Sequence, residues 1–189
     1  MMALPQRKLF TQDEYLFLEE KAETKHELVN GEIYAMAGAT ENHVKITGNI
    51  FRNIANHLLE SSCDVYSSDM KLSAGFDCYY PDVFVKCDPN DNDQLVKEKP
   101  ILIIEVLSES TKNFDRGDKL KNYLRIPSLQ EYVLVSQKEI EVWIYRRIGK
   151  KWEMEILKED NELHFMSIDL KVPVRCLYVK VFSLELEKG

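Results

Sequence analysis

The most apolar stretch of the chain, Ile101 to Leu107, reads ILIIEVL and has the near-continuous hydrophobicity of a central strand covered on both faces. Upstream, Thr11 followed by Glu14 predicts a capping box and a short helix through about Lys21. His26 to Met36 predicts two strands joined by Asn30-Gly31, the strongest two-residue hairpin signal. Thr40 caps a longer predicted helix whose apolar stripe runs Val44, Thr47, Ile50, Phe51, Ile54, Leu58. Val65 to Ser73 and Tyr79 to Cys87 are predicted strands separated by a turn at Gly75, and Asp88 to Lys99 reads as a solvated loop. After the apolar run, a polar loop from Ser108 to Asn113 leads to a predicted helix of about Asp115 to Arg125. The strand Tyr132 to Val135 follows, an order that suggests a parallel crossover. Glu139 to Arg146 and Trp152 to Leu157 read as a hairpin around Gly149, followed by short strands and a final helix. The expected fold is α/β: a mixed sheet flanked by helices, with an added C-terminal antiparallel meander.

At 189 residues the chain suits one domain, and no linker or repeat divides it. No apolar run resembles a signal peptide or a membrane span, so a cytoplasmic protein is expected. Cys63, Cys78, Cys87 and Cys176 include no CxxC pair, and buried free thiols are expected rather than a zinc module. The net charge of -7 argues against a protein that coats nucleic acid through bulk electrostatics. It does not argue against a nuclease, because an enzyme that gathers carboxylates around a cation is itself acidic.

The residue that changes the picture is Glu105, an acid inside the most apolar segment. An ionised carboxylate there is costly unless it is paired or binds a cation. Asp82, in YYPDVFV, lies on a strand that can run beside Ile101 to Leu107, and two facing carboxylates can hold magnesium. The competing reading is a buried Glu satisfied by Lys or Arg.

Pro81-Asp82 followed by Glu105-Val106-Leu107 resembles the PD-(D/E)xK restriction-endonuclease-like superfamily. The strings HELVNGEIYAM and EVLSEST, then Asp115, Lys119, Tyr123 and EYVLV, are similar to the bacterial Uma-type family of endonucleases over almost the entire chain. The resemblance implies a restriction-endonuclease-like fold, dependence on Mg²⁺ or Mn²⁺, and hydrolysis of nucleic-acid phosphodiesters, DNA being the expected substrate. It implies Asp82 and Glu105 as metal ligands, with the Val106 carbonyl as a third, and it places an acid at Glu27.

The superfamily lysine would fall at Leu107. A strand advances about 6.6 Å over two residues, and a helix about 6 Å over four, so Lys119 on the returning helix can come back to the level of Glu105. Two readings of Lys119 stand: a relocated catalytic lysine, or an i,i+4 ion pair with Asp115. Lys112 is the second candidate for the same role. Glu27 reads either as a further metal-site carboxylate or as a strand Glu paired with Lys, and His43 either as a proton carrier facing the cleft or as a solvent-facing residue. Asp69 reads as a turn acid more readily than as a site residue. Arg146, Arg147, Lys150 and Lys151 cluster around a hairpin turn that either grips phosphates or serves solubility. The aromatics Trp143, Tyr145 and Trp152 make a homodimer through the meander a further expectation.

Overall fold

The apolar run forms β8 (Pro100–Leu107), an inner strand of a six-stranded mixed sheet in the computed structural model, which describes residues 8–108 and 117–182. Its neighbours are β6 (Val83–Lys86), antiparallel to it, and β9 (Glu131–Ser136), parallel to it. A parallel neighbour requires a crossover, supplied by the short helix α3 (Asp118–Leu124). The sheet continues through β3 (Asp64–Ser67) beyond β6, and through β10 (Glu141–Ile148) and β11 (Lys151–Lys158) beyond β9. The predicted C-terminal hairpin around Gly149 therefore extends the main sheet, while β12 (Glu162–Phe165) and β13 (Leu170–Pro173) form a separate antiparallel pair. The 3-10 turn Val174–Tyr178 follows, and the end of the chain, residues 183–189, lies outside the described residues.

A second sheet has the order β2-β1-β5-β4-β7. Its strands are β1 (His26–Val29), β2 (Glu32–Ala35), β4 (Lys71–Ala74), β5 (Asp77–Tyr79) and β7 (Val96–Lys97). The β1/β2 turn has positive φ at both Asn30 (51°) and Gly31 (80°), the backbone that a two-residue Asn-Gly hairpin requires. Helix α1 (Gln12–Glu19) carries the expected Thr11/Glu14 capping box.

Two predicted strands proved to be four. Val65 to Ser73 divides into β3 and β4, and Tyr79 to Cys87 into β5 and β6, one member of each pair in each sheet. The breaks coincide: Ser68, at φ 49°, donates its N–H to the carbonyl oxygens of Pro81 (3.2 Å) and Asp82 (3.3 Å). A residue in the left-handed region turns the chain there, and Pro81 has no N–H to continue a ladder. Asp82 is thereby fixed at the seam between the sheets.

Alternation along β8 sorts the core. Leu102, Ile104 and Val106 join Ile46, Ile50 and Ile54 of α2 (Glu41–His57) in one apolar cluster. Ile103 and Leu107 join Leu72 and Tyr79 of the second sheet and Tyr123 of α3 in another. The inward stripe of α2 begins at Ile46 rather than at Val44, whose side chain is 60% exposed, because Ile46 stands one turn before Ile50 on the face that meets β8. Among the described residues no helix is long and apolar enough to cross a membrane.

The expectation of four free thiols fails for one pair. The β3/β6 register sets Asp64 opposite Lys86, so the next positions outward, Cys63 and Cys87, face each other, and they form a disulfide. Cys78 is free and buried, and Cys176 is free and partly buried. Spacing along the chain carried no sign of this pairing, which register alone creates.

Candidate active site

Glu105 shares its face of β8 with Ile103 and Leu107, so its carboxylate enters the layer between the two sheets, where it is only 4% exposed. The antiparallel pair Val83 and Ile104 puts Asp82, one residue before β6, across from Glu105. The two acids are tied through the backbone: Asp82 N–H donates to Glu105 Oε2 (3.2 Å), and Val106 N–H donates to Asp82 Oδ2 (2.7 Å). The same Asp82 oxygen lies 3.1 Å from His43 Nε2. His43 stands in the first turn of α2, where its N–H donates to the capping Thr40 hydroxyl, and its imidazole faces the acid rather than solvent.

From the opposite side comes α3. Lys119 is 5% exposed, and its Nζ lies 3.0 Å from Glu105 Oε1 and 3.0 Å from Glu27 Oε1. The ammonium also sits 5.2 Å and 5.9 Å from the ring centroids of Tyr79 and Tyr123, the distance at which aromatic faces attract a cation. Tyr123 donates its hydroxyl to Glu105 Oε1 (3.0 Å). Glu27, on β1, accepts from Tyr80 N–H (3.1 Å) with the oxygen that meets Lys119. The buried Lys119 ammonium and Glu105 carboxylate, with the partly buried Glu27, satisfy the rule that an interior charge needs partners. Burial, then the neighbouring Glu105 and Glu27, push the Tyr123 hydroxyl well above its ordinary range, which keeps it a proton donor.

The structure thus brings Asp82, Glu105, Lys119, His43 and Glu27 into one network whose elements are distant in sequence. Glu27 meets a lysine, the second of its two expected readings. Asp115 and Lys112 lie outside the described residues. Asp69 is an exposed turn acid paired with Lys25. The hairpin arginines point into the fold. Arg146 reaches Glu131 Oε1 (3.3 Å), Glu155 Oε2 (2.6 Å) and the His164 carbonyl (3.0 Å). Arg147 donates to the carbonyls of Leu129 (2.7 Å), Ile126 (2.7 Å) and Leu124 (3.2 Å) and stacks on Trp152. A phosphate-gripping role therefore finds no support in the placement of these two guanidiniums. Their place in the strand explains it: both arginines lie within β10, where successive side chains take opposite faces of the sheet and each finds partners on its own face, whereas Lys150 and Lys151 are at the exposed turn.

Tyr123 had no role assigned from the sequence. The signal was present, since Lys119 and Tyr123 are four residues apart and must share a helix face.

Among the described residues, no three His, Cys, Asp or Glu side chains converge as a ready metal cluster. The donors at the seam still suit a hard cation. Magnesium keeps several waters and binds through one or two carboxylates plus substrate phosphate, and Asp82 and Glu105 are two carboxylates facing across adjacent strands. Asp82, Glu105 and the Val106 carbonyl are the groups that would hold it.

The comparisons with known proteins agree with this architecture. A crystal structure described as a "putative nuclease belonging to DUF820" from Anabaena variabilis superposes with a TM-score of 0.76 at 20% identity, covering 92% of this chain and 99% of that one. Two Synechocystis proteins, slr1290 and sll1609, are 36% and 37% identical to this chain. These matches cover 88% and 87% of this chain, and 90% and 97% of the two relatives. The model of the family described as "Uma2: Putative restriction endonuclease" matches residues 12–174. The chain belongs to the Uma2 family.

Proposed function

We propose that this protein is a divalent-metal-dependent endonuclease that hydrolyses phosphodiester bonds of nucleic acid, DNA foremost, at the seam between its two sheets. The observation that carries the reading is the position of Lys119. Its ammonium meets Glu105, the acid opposite Asp82, although the superfamily's lysine position two residues after Glu105 is Leu107. A lysine lost from the strand is replaced by one delivered from the crossover helix.

The reaction is in-line attack of water on phosphorus, forming one P–O bond and breaking the bond to the leaving oxygen, with the water's proton passing to a base and a proton from solvent taken up by the leaving oxygen. Bound Mg²⁺ or Mn²⁺ would supply Lewis acidity and lower the pKa of a bound water. The chain's own residues do the rest. Lys119 places a positive charge beside the reacting phosphate, where it orients the attacking water and offsets charge developing on the phosphoryl oxygens. Glu27 holds that ammonium in place from the second sheet. His43, against Asp82, is the candidate proton carrier.

The experiment is cleavage of plasmid, single-stranded DNA and RNA by the purified full chain, with Mg²⁺, Mn²⁺ or EDTA, beside Asp82→Asn and Glu105→Gln. Metal-dependent cleavage lost in both variants is the expected result. Cleavage that survives EDTA and both substitutions would overturn the reading. Binding of nucleic acid without any cleavage would point instead to a module that keeps the fold without the activity, the reading that Leu107 favours.

A further inference from the structure

The two oxygens of Glu105 have different company. Oε2 accepts the backbone N–H of Asp82 at 3.2 Å and so lies on the Asp82 side, while Oε1 meets the Tyr123 hydroxyl at 3.0 Å and the Lys119 ammonium at 3.0 Å. A carboxylate at the end of a glutamate has a broad terminal torsion and three rotatable bonds, so its direction depends on what holds it. Lys119 is a poor clamp by itself, because Glu27 Oε1 attracts the same ammonium from the other side at 3.0 Å. Tyr123 is a better one. Its ring is completely buried and wedged edge-on between Tyr79 and Tyr132, with centroids 5.0 Å and 5.3 Å away. A ring so packed on both sides delivers its hydroxyl to a fixed point.

We infer that Tyr123 is a positioning residue: by holding Glu105 Oε1 it fixes the carboxylate so that Oε2 is presented toward Asp82, in the orientation that binds a divalent cation. The inference rests on the metal-site reading of Asp82 and Glu105. Tyr123 itself touches neither substrate nor metal. Hydrogen-bond partners that orient a metal-binding carboxylate are worth about 10- to 100-fold in metal affinity when removed, whereas a hydroxyl that matters only to the core changes stability alone.

The test is direct binding of Mn²⁺ to the full chain, read by the paramagnetic resonance signal of free Mn²⁺ and without nucleic acid. The parent is compared with Tyr123→Phe, Tyr79→Phe and Glu105→Gln. Tyr123→Phe keeps the ring and removes the hydroxyl. Tyr79→Phe removes a hydroxyl of the same aromatic cluster that donates to Asp77 (3.0 Å) and not to Glu105. The expected result is a 10- to 100-fold weaker Mn²⁺ affinity in Tyr123→Phe, near-parental affinity in Tyr79→Phe, and both variants folded by circular dichroism. Parental Mn²⁺ binding by Tyr123→Phe would overturn the inference while leaving the metal site standing. An equal loss in Tyr79→Phe would overturn it too, as a general loosening of the core. Absence of Mn²⁺ binding in the parent, or unchanged binding in Glu105→Gln, would overturn the metal-site reading and this inference with it.

Discussion

Lys119 Nζ lies 3.0 Å from Glu105 Oε1, although the lysine belongs to a crossover helix and the glutamate to the strand that precedes it. Both side chains point into the layer between two sheets, so the pair is a tertiary contact made by folding the crossover back over β8. The ion pair ties α3 to the centre of the molecule at the position where the proposed chemistry needs a cation.

Two outcomes are expected of Lys119→Met. The substitution removes the ammonium that pairs with both Glu27 and Glu105, leaving a buried acid and a partly buried one without it. Breaking a buried pair in this way costs roughly 3–5 kcal/mol, read as a lower midpoint in urea. Cleavage, measured where the variant is still folded, should fall about a hundredfold or more, the scale of a lost electrostatic contact to the transition state. Parental cleavage by folded Lys119→Met would confine the lysine to a structural role.

Arg147→Ala should cost stability without changing the salt dependence of nucleic-acid binding. Its guanidinium bonds three carbonyls, among them Leu124 at the end of α3, and stacks on Trp152. Charged hydrogen bonds of this kind are worth about 1.5–3 kcal/mol each at most, and a domain of this size loses roughly 2–4 °C per kcal/mol. A drop of several degrees in Tm with an unaltered salt slope is the expected pair of measurements. A flatter slope would restore the phosphate-gripping role.

Cys78 contributes to the alkaline limb of the stability curve, beside buried tyrosines such as Tyr123 whose hydroxyls are also pushed up. Burial pushes its thiol up to about 12 from an ordinary value of 9.0. A folded-state pKa above the unfolded one means that the native thiol keeps its proton where the unfolded thiol has lost it. Its contribution is therefore fully present below about pH 9 and is lost as pH rises toward about 12. Cys78→Ala should flatten the decline of unfolding free energy over that window. At pH 8, a thiol-specific reagent should leave Cys78 of the native protein unmodified, and rapid labelling would show the thiol to be accessible.

Much of the fold was determined by the sequence itself, wherever the signal is local. Asn30-Gly31 dictates its hairpin because few other pairs accept two positive φ values. Thr11 and Thr40 cap helices because their hydroxyls answer the orphan N–H groups of the first turn. Ile101 to Leu107 has the apolar run of an interior strand, and an acid inside it had to find a partner, which singles out Glu105 from the sequence alone. Tertiary structure alone decided the rest. Whether Val65 to Ser73 is one strand or two depends on a second segment breaking at the same level, where Ser68 meets Pro81 and Asp82. The Cys63–Cys87 bond depends on the β3/β6 register. Of the hairpin arginines that look free in the sequence, Arg147 is claimed by carbonyls of α3 and the loop after it, and Arg146 by Glu131, Glu155 and the His164 carbonyl. Glu27, Lys119 and Glu105 come together only because two sheets and a crossover helix close on one another. Periodicity and capping report how each segment relates to its own backbone, whereas the partner of a buried charge is set by which distant segments pack against it.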